Sequence, residues 1–134
     1  EIEKKIVANI DEIEQLKIKP VLTLSDAIRL IDEAKGIKIS ERILDYILNI
    51  IEQIRNDKRI RLPPSPRASI WLYKIGRVFA YLDGRNYMIP DDVKRIAHEV
   101  LRHRIYLKTE WELEGIEPDT IIRETLESVA VPRE

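Results

Sequence analysis

Ser40-Glu41-Arg42-Ile43-Leu44-Asp45-Tyr46-Ile47-Leu48-Asn49-Ile50-Ile51-Glu52-Gln53-Ile54-Arg55 decides the fold. Its apolar residues Ile43, Leu44, Ile47, Leu48, Ile50, Ile51 and Ile54 recur at three- and four-residue intervals, the period of an α-helix. Ser40 stands where a hydroxyl can accept from the free N–H groups of a first turn. The stripe is wide enough for a central helix packed on two sides. Its β-branched isoleucines lower intrinsic helix propensity, so burial has to hold the segment helical.

The same period runs outward in both directions. Toward the N-terminus, Ser25 is the expected cap of a short helix carrying Ala27, Ile28, Ile31 and Ala34, with Gly36 where a left-handed residue ends a helix. Pro20 separates it from a first amphipathic helix, expected from about Ile2 to Leu16 on the stripe Ile2, Ile6, Ile10, Ile13 and Leu16. The chain opens at Glu1, without methionine and directly in helical periodicity, which predicts a piece of something longer or a processed product. Toward the C-terminus, Asn56 to Pro64 reads as a basic, proline-containing loop. Ser65 is the next N-cap and Pro66 the first helical residue, a position where proline is favoured. Ala68, Trp71, Leu72, Ile75, Val78, Phe79 and Leu82 form that helix's expected core stripe, and Gly84 ends it. Another helix runs from about Pro90 to His103, with Asp91 and Asp92 in the turn where the helix dipole favours carboxylates. Arg104-Ile105-Tyr106-Leu107 alternates and predicts a short strand, and a last helix begins near Pro118 and stops before Pro132. The expected fold is therefore all-α: a compact bundle of about six helices with at most one short strand pair.

Composition narrows the function. The 134 residues, 44% hydrophobic and 35% charged, suit one globular domain with a buried core. The absence of cysteine excludes disulfides, thiolate metal sites and cysteine nucleophiles. No apolar run spans a bilayer and no signal peptide is present, so the cytoplasm is the default location. The net charge of −1 conceals a pattern. Residues 1–54 hold 8 basic and 11 acidic side chains, 55–108 hold 13 and 5, and 109–134 hold 2 and 8. A positive middle between acidic ends suits either an anionic partner or pairing within the fold.

Catalytic motifs are absent. The sequence has no phosphate loop, no G-x-G-x-x-G and no H-E-x-x-H. His98 and His103, five residues apart, occupy different helical faces and read as surface or hydrogen-bonded histidines, so no metal site is expected. Ser40, Ser65 and Ser69 lack nucleophile-elbow glycines and read as caps or packing. Arg67 is different. It falls in the first turn of the helix opened by Ser65-Pro66, where free N–H groups and the dipole favour an anion, and its guanidinium adds a fork suited to phosphate. Lys74 and Arg77 follow on roughly the same side and read as a solvated cationic face. Pairing of Arg67 with a nearby carboxylate is the competing reading.

Five blocks in order carry a resemblance. Leu62-Pro63-Pro64-Ser65-Pro66-Arg67-Ala68-Ser69 resembles the S-P-R-A-S segment of MoxR-type AAA+ ATPases, and Leu82-Asp83-Gly84-Arg85-Asn86-Tyr87 their L-x-G-R-x-Y. Pro90-Asp91-Asp92-Val93 is similar to P-[DE]-D-V, Val100 to Ile105 to V-L-x-H-R-I, and Val129-Ala130-Val131-Pro132 to V-x-V-P. The resemblance spans roughly Ser40 to Arg133. It implies a C-terminal helical lid over residues 25–134, with 1–24 as the leading helix and linker from an ATPase core. By the same resemblance Arg67 is the sensor 2 arginine, catalytic at the γ-phosphate of ATP, with Ser65 and Pro66 beside it at the nucleotide. The core would hold ATP and magnesium. Gly84, Pro90 to Val93 and His103 become architectural, His103 through a buried hydrogen bond. The implied partners are the protein's own N-terminal core, sister subunits in a ring (a hexamer), protein clients that are remodelled or receive a cofactor, and von Willebrand factor A domain proteins. A membrane partner is not expected. Phosphate loop, magnesium carboxylates and arginine finger are missing here, so this chain alone is expected to hydrolyse no ATP.

The chain departs from the family at two places. Pro63-Pro64 replaces a glycine and a small residue, which predicts a stiffer loop or another path before Arg67. Ile89 replaces a hydroxyl cap, which weakens a helix start by about 1 kcal/mol. The alternative function is a small helical nucleic-acid-binding module using Arg55, Lys58, Arg59, Arg61 and Arg67. The sequence pI near 6.2 argues against it, and a pure protein-interaction bundle leaves the ordered blocks unexplained.

Overall fold

The computed structural model describes residues 1–132; Arg133 and Glu134, the end of the expected lid span, lie outside the described residues. In chain order the elements are α1 (Ile2–Ala8), α2 (Ile10–Glu14), α3 (Leu24–Lys35), α4 (Glu41–Arg55), β1 (Ile60–Leu62), α5 (Pro66–Leu82) and α6 (Pro90–Leu101). A 3-10 turn (Arg102–Arg104), β2 (Tyr106–Leu107), α7 (Thr109–Leu113) and α8 (Pro118–Ser128) follow. The fold is all-α with one antiparallel strand pair among the described residues, as expected. Among the described residues it has eight α-helices where about six were expected. The first helix breaks at Asn9 (φ −111°, ψ 16°), because nothing in α1 or α2 is buried to hold a longer one. The five-residue α7 is too short to leave a periodic signal.

α4 is the central helix. Ser40 caps it as expected, Oγ accepting from Ile43 N–H at 3.3 Å. Ile43, Tyr46, Ile47, Ile50, Ile51 and Ile54 are buried, and the helix packs against α5, α6 and α8. Each fully buried isoleucine contributes about 1.5–3 kcal/mol. Leu44 and Leu48 stay 37% and 53% exposed, so the buried stripe is narrower than the sequence suggests and includes Tyr46.

α5 is turned relative to its expected stripe. Its buried face is Ala68, Leu72, Gly76 and Ala80, while Trp71, Val78 and Leu82 are exposed and Ile75 and Phe79 are partly buried. Small residues at Ala68, Gly76 and Ala80 let α6 and its leading loop approach closely: a Cβ on Gly76 would fall 2.1 Å from Met88 Cε. Size misled the sequence reading, because close approach selects the smallest side chains.

Helix ends mostly follow their chemistry. Gly84 (φ 74°) closes α5; its N–H bonds Tyr81 O at 2.9 Å and Arg85 N–H bonds Ala80 O at 3.0 Å, a Schellman pair. α3 is capped by Thr23 rather than Ser25: Thr23 Oγ1 accepts from Asp26 N–H, and Asp26 Oδ2 accepts from Thr23 N–H, each at 3.1 Å. Gly36 keeps a helical φ of −75°, so no left-handed residue ends α3. The Thr23 hydroxyl and N–H hold the Asp26 carboxyl below its ordinary range. Folding therefore draws stability from Asp26 above the ordinary aspartate pKa, about 3.9, and loses it as pH falls through the depressed value. Thr23→Ala should raise the Asp26 pKa toward about 3.9 in an NMR titration; an unchanged titration would contradict this cap.

The expected loop 56–64 contains β1, which pairs with the predicted strand residues Tyr106 and Leu107, Ile60 opposite Leu107 and Leu62 opposite Tyr106 across an irregularity. α6 stops at Leu101. His103, expected to make a buried hydrogen bond, is exposed on the 3-10 turn and makes no side-chain hydrogen bond among the described residues. Among the described residues no helix is long and apolar enough to cross a membrane.

Candidate functional site

The segment before α5 is held at both ends. Pro64 is buried, and its carbonyl accepts from Arg55 Nε at 3.1 Å, tying the approach to the C-terminal end of α4. Consecutive prolines restrict φ, and Ser65 takes the extended conformation (φ −72°, ψ 168°) that a following proline demands. Ser65 occupies the N-cap and Pro66 the first helical position, as expected. The Ser65 hydroxyl makes no capping bond; only its carbonyl is used, accepting from Ala68 N–H at 2.9 Å. Ser65, Pro66 and Arg67 are all exposed.

Arg67 makes no hydrogen bond, ion pair or ring contact among the described residues, so no carboxylate consumes it. Arg104 and Arg123 share that condition, but neither stands in a helix's first turn. The other members of the basic cluster are mostly engaged. Arg55 bonds Pro64 and lies 3.7 Å from Glu52. Arg59 bridges Asp57 and Glu124, each at 2.7 Å, and its hydrogen bonds hold the Asp57 carboxyl below its ordinary range. Arg61 Nε donates to Leu107 O at 3.4 Å. Glu124 belongs to the acidic C-terminal part, as does Asp119, which meets His98 at 2.7 Å and Arg102 at 3.4 Å. Intramolecular pairing therefore accounts for much of the positive middle. Lys74 lies over the Trp71 ring at 5.6 Å, and Arg77 lies over Tyr73 at 4.9 Å while donating to its hydroxyl at 2.8 Å.

A groove of about 660 Å³, lined by Ile39, Ile43, Tyr87, Met88, Ile89 and Pro90, opens at the far end of the bundle. Its walls include the start of α4, whereas Arg55 at the other end of α4 touches the Arg67 loop. At 1.5 Å per residue, 15-residue α4 separates them by about 22 Å. Arg67 thus projects from an open surface. No cluster of three metal-ligating side chains exists among the described residues.

Sequence reasoning missed the ion pair between Arg85 and the buried Asp92. Asp92 is 3% exposed and accepts from Arg85 Nη1 at 2.8 Å and Nη2 at 2.6 Å. Asp92 Oδ2 also accepts from Ile89 N–H at 2.9 Å, so the third helical residue supplies part of the cap that Ile89 lacks. The capping-box spacing from Ile89 to Asp92 was the available signal.

Residues 52–125 match the AAA lid domain family. The chain is 36% identical to the uncharacterized protein YeaC of Bacillus subtilis over 86% of its own length and 36% of that protein. It is 29% identical to chaperone MoxR1 of Mycobacterium tuberculosis over 86% of this chain and 33% of that one. The chain thus spans about a third of these relatives. A crystal structure of a "putative ATPase" from Cytophaga hutchinsonii superposes with a TM-score of 0.82 at 25% identity, over 98% of this chain and 43% of that one.

Proposed function

Because the chain belongs to the AAA lid domain family, as a lid of the MoxR type, we propose that it delivers Arg67 to a nucleotide held by an α/β core of the same protein. The observation that carries this reading is the condition of Arg67: exposed, unpartnered, and set at a helix start behind a tethered proline. Those features fit one edge of a triphosphate. A free guanidinium on a positive helix end offers forked donors to phosphate oxygens, and Ser65 and Pro66 place it there. ATP with magnesium, bound in the core, supplies the transferable phosphoryl group. Arg67 orients its donors toward the charge that develops there, and its contact makes lid angle depend on nucleotide state. Residues 1–24 act as the leading helix and linker to the core. The whole protein works as a homo-oligomeric ring, a hexamer, in the cytoplasm, remodelling client proteins or inserting cofactors, with von Willebrand factor A domain proteins among its partners.

Chemical protection tests the contact. In the full-length protein, the ATP analogue ATPγS with magnesium should slow phenylglyoxal modification of Arg67 several-fold, mapped by mass spectrometry. Exposed, unpartnered Arg123 should react at the same rate with and without nucleotide. Equal loss of reactivity at both, or at neither, removes Arg67 from the nucleotide site.

A further inference from the structure

We infer that Trp71 is a positioning residue for Arg67, the point at which the nucleotide-binding core seats on the outer face of α5 and sets its distance from the guanidinium. The inference rests on the reading of Arg67 proposed above. α5 has two apolar faces, and the bundle uses one of them, Ala68, Leu72, Gly76 and Ala80. The other carries Ile70, Trp71 and Val78, which are 50%, 40% and 41% exposed. Trp71 follows Arg67 by four residues and so lies one turn along the same side. One turn is about 5.4 Å, shorter than an extended arginine side chain. A body that brings a triphosphate to the guanidinium therefore also comes down over the indole.

Two further observations identify the occupant as the core. More than half of the Cytophaga hutchinsonii chain lies outside the part matched here, of which this chain covers 43%. The face is also continuous with Arg67, the residue assigned to the nucleotide held by that core. Tryptophan suits the seat because it offers a large rigid contact with only two side-chain torsions, and interface anchors are enriched in tryptophan and arginine. The Lys74 ammonium, 5.6 Å from the ring centroid, braces the indole from one side.

The test is a double-mutant cycle in the full-length protein. Trp71→Ala should lower kcat about tenfold, in keeping with the cost of small misplacements. Trp71→Phe should restore most of the loss, and Trp71→Ala should add nothing in an Arg67→Ala background. Wild-type turnover in Trp71→Ala alongside a strong Arg67→Ala defect overturns the positioning role and leaves the Arg67 reading standing. Losses that multiply in the double variant also overturn it, because the indole then acts apart from the guanidinium. A harmless Arg67→Ala defeats both. Should Trp71→Ala fail to fold, hydroxyl-radical footprinting of the unaltered full-length protein decides. Protection of Trp71 on adding ATPγS and magnesium supports the seat, and unchanged labelling overturns it.

Discussion

Arg67→Ala in the full-length protein should lower ATP turnover by about a hundredfold or more, roughly 2.7 kcal/mol of transition-state stabilisation. Phosphoryl transfer is catalysed largely by positioning and charge, so an arginine acting there loses most of its contribution when truncated. The fall belongs in kcat with KM little changed, the pattern of an interaction made chiefly in the transition state. Arg67→Lys should recover only part, because an ammonium is a point donor without the guanidinium fork. The domain itself should remain intact. Arg67 is exposed and bonded to nothing among the described residues, and such surface changes usually shift stability by no more than about 0.5 kcal/mol. Steady-state phosphate release and thermal unfolding on the same preparation separate the two effects. Wild-type turnover in a folded Arg67→Ala protein would sink the assignment.

Arg85→Ala should do the reverse, destabilising the domain without touching the proposed nucleotide contact. Asp92 is 3% exposed and takes both Arg85 donors, so truncation leaves a carboxylate buried without its counter-charge. Breaking such a pair costs about 3–5 kcal/mol, and the partial exposure of the Arg85 side chain argues for about 3. For a domain of this size that lowers Tm by about 10 °C. Arg85 is held protonated even more firmly than an ordinary arginine, foremost by its hydrogen bonds to Asp92. Asp92→Asn added to Arg85→Ala should return part of the loss, since it removes the stranded charge. A Tm within about 2 °C of wild type for Arg85→Ala, near half a kcal/mol, would show that water or another donor satisfies Asp92.

Where a residue's role is set by its immediate neighbours, the sequence was readable. Ser40, Pro66 and Gly84 act through local backbone chemistry, and all three stand where that chemistry places them. Helix α4 was legible because five of its isoleucines share one buried face. The failures involve partners distant in the chain. The inner face of α5 is decided by how closely its neighbours approach, so Gly76 and Ala80 are buried and Trp71 is exposed. Ile2, Ile6, Ile10, Ile13 and Leu16 have a strong helical period yet bury nothing, since periodicity records an apolar face and not what covers it. At the candidate site the exposure of Arg67 was unreadable, because Asp57, Glu124 and Asp92 choose other arginines only once the chain has folded.

The hydrogen bond from Arg55 to the Pro64 carbonyl has a mechanical consequence. The short run into α5 is tied to the C-terminal end of α4, so its backbone moves with that helix while the bond holds. Under the proposed nucleotide contact, a displacement of the Pro64 segment is passed to α4, whose opposite end lines the groove.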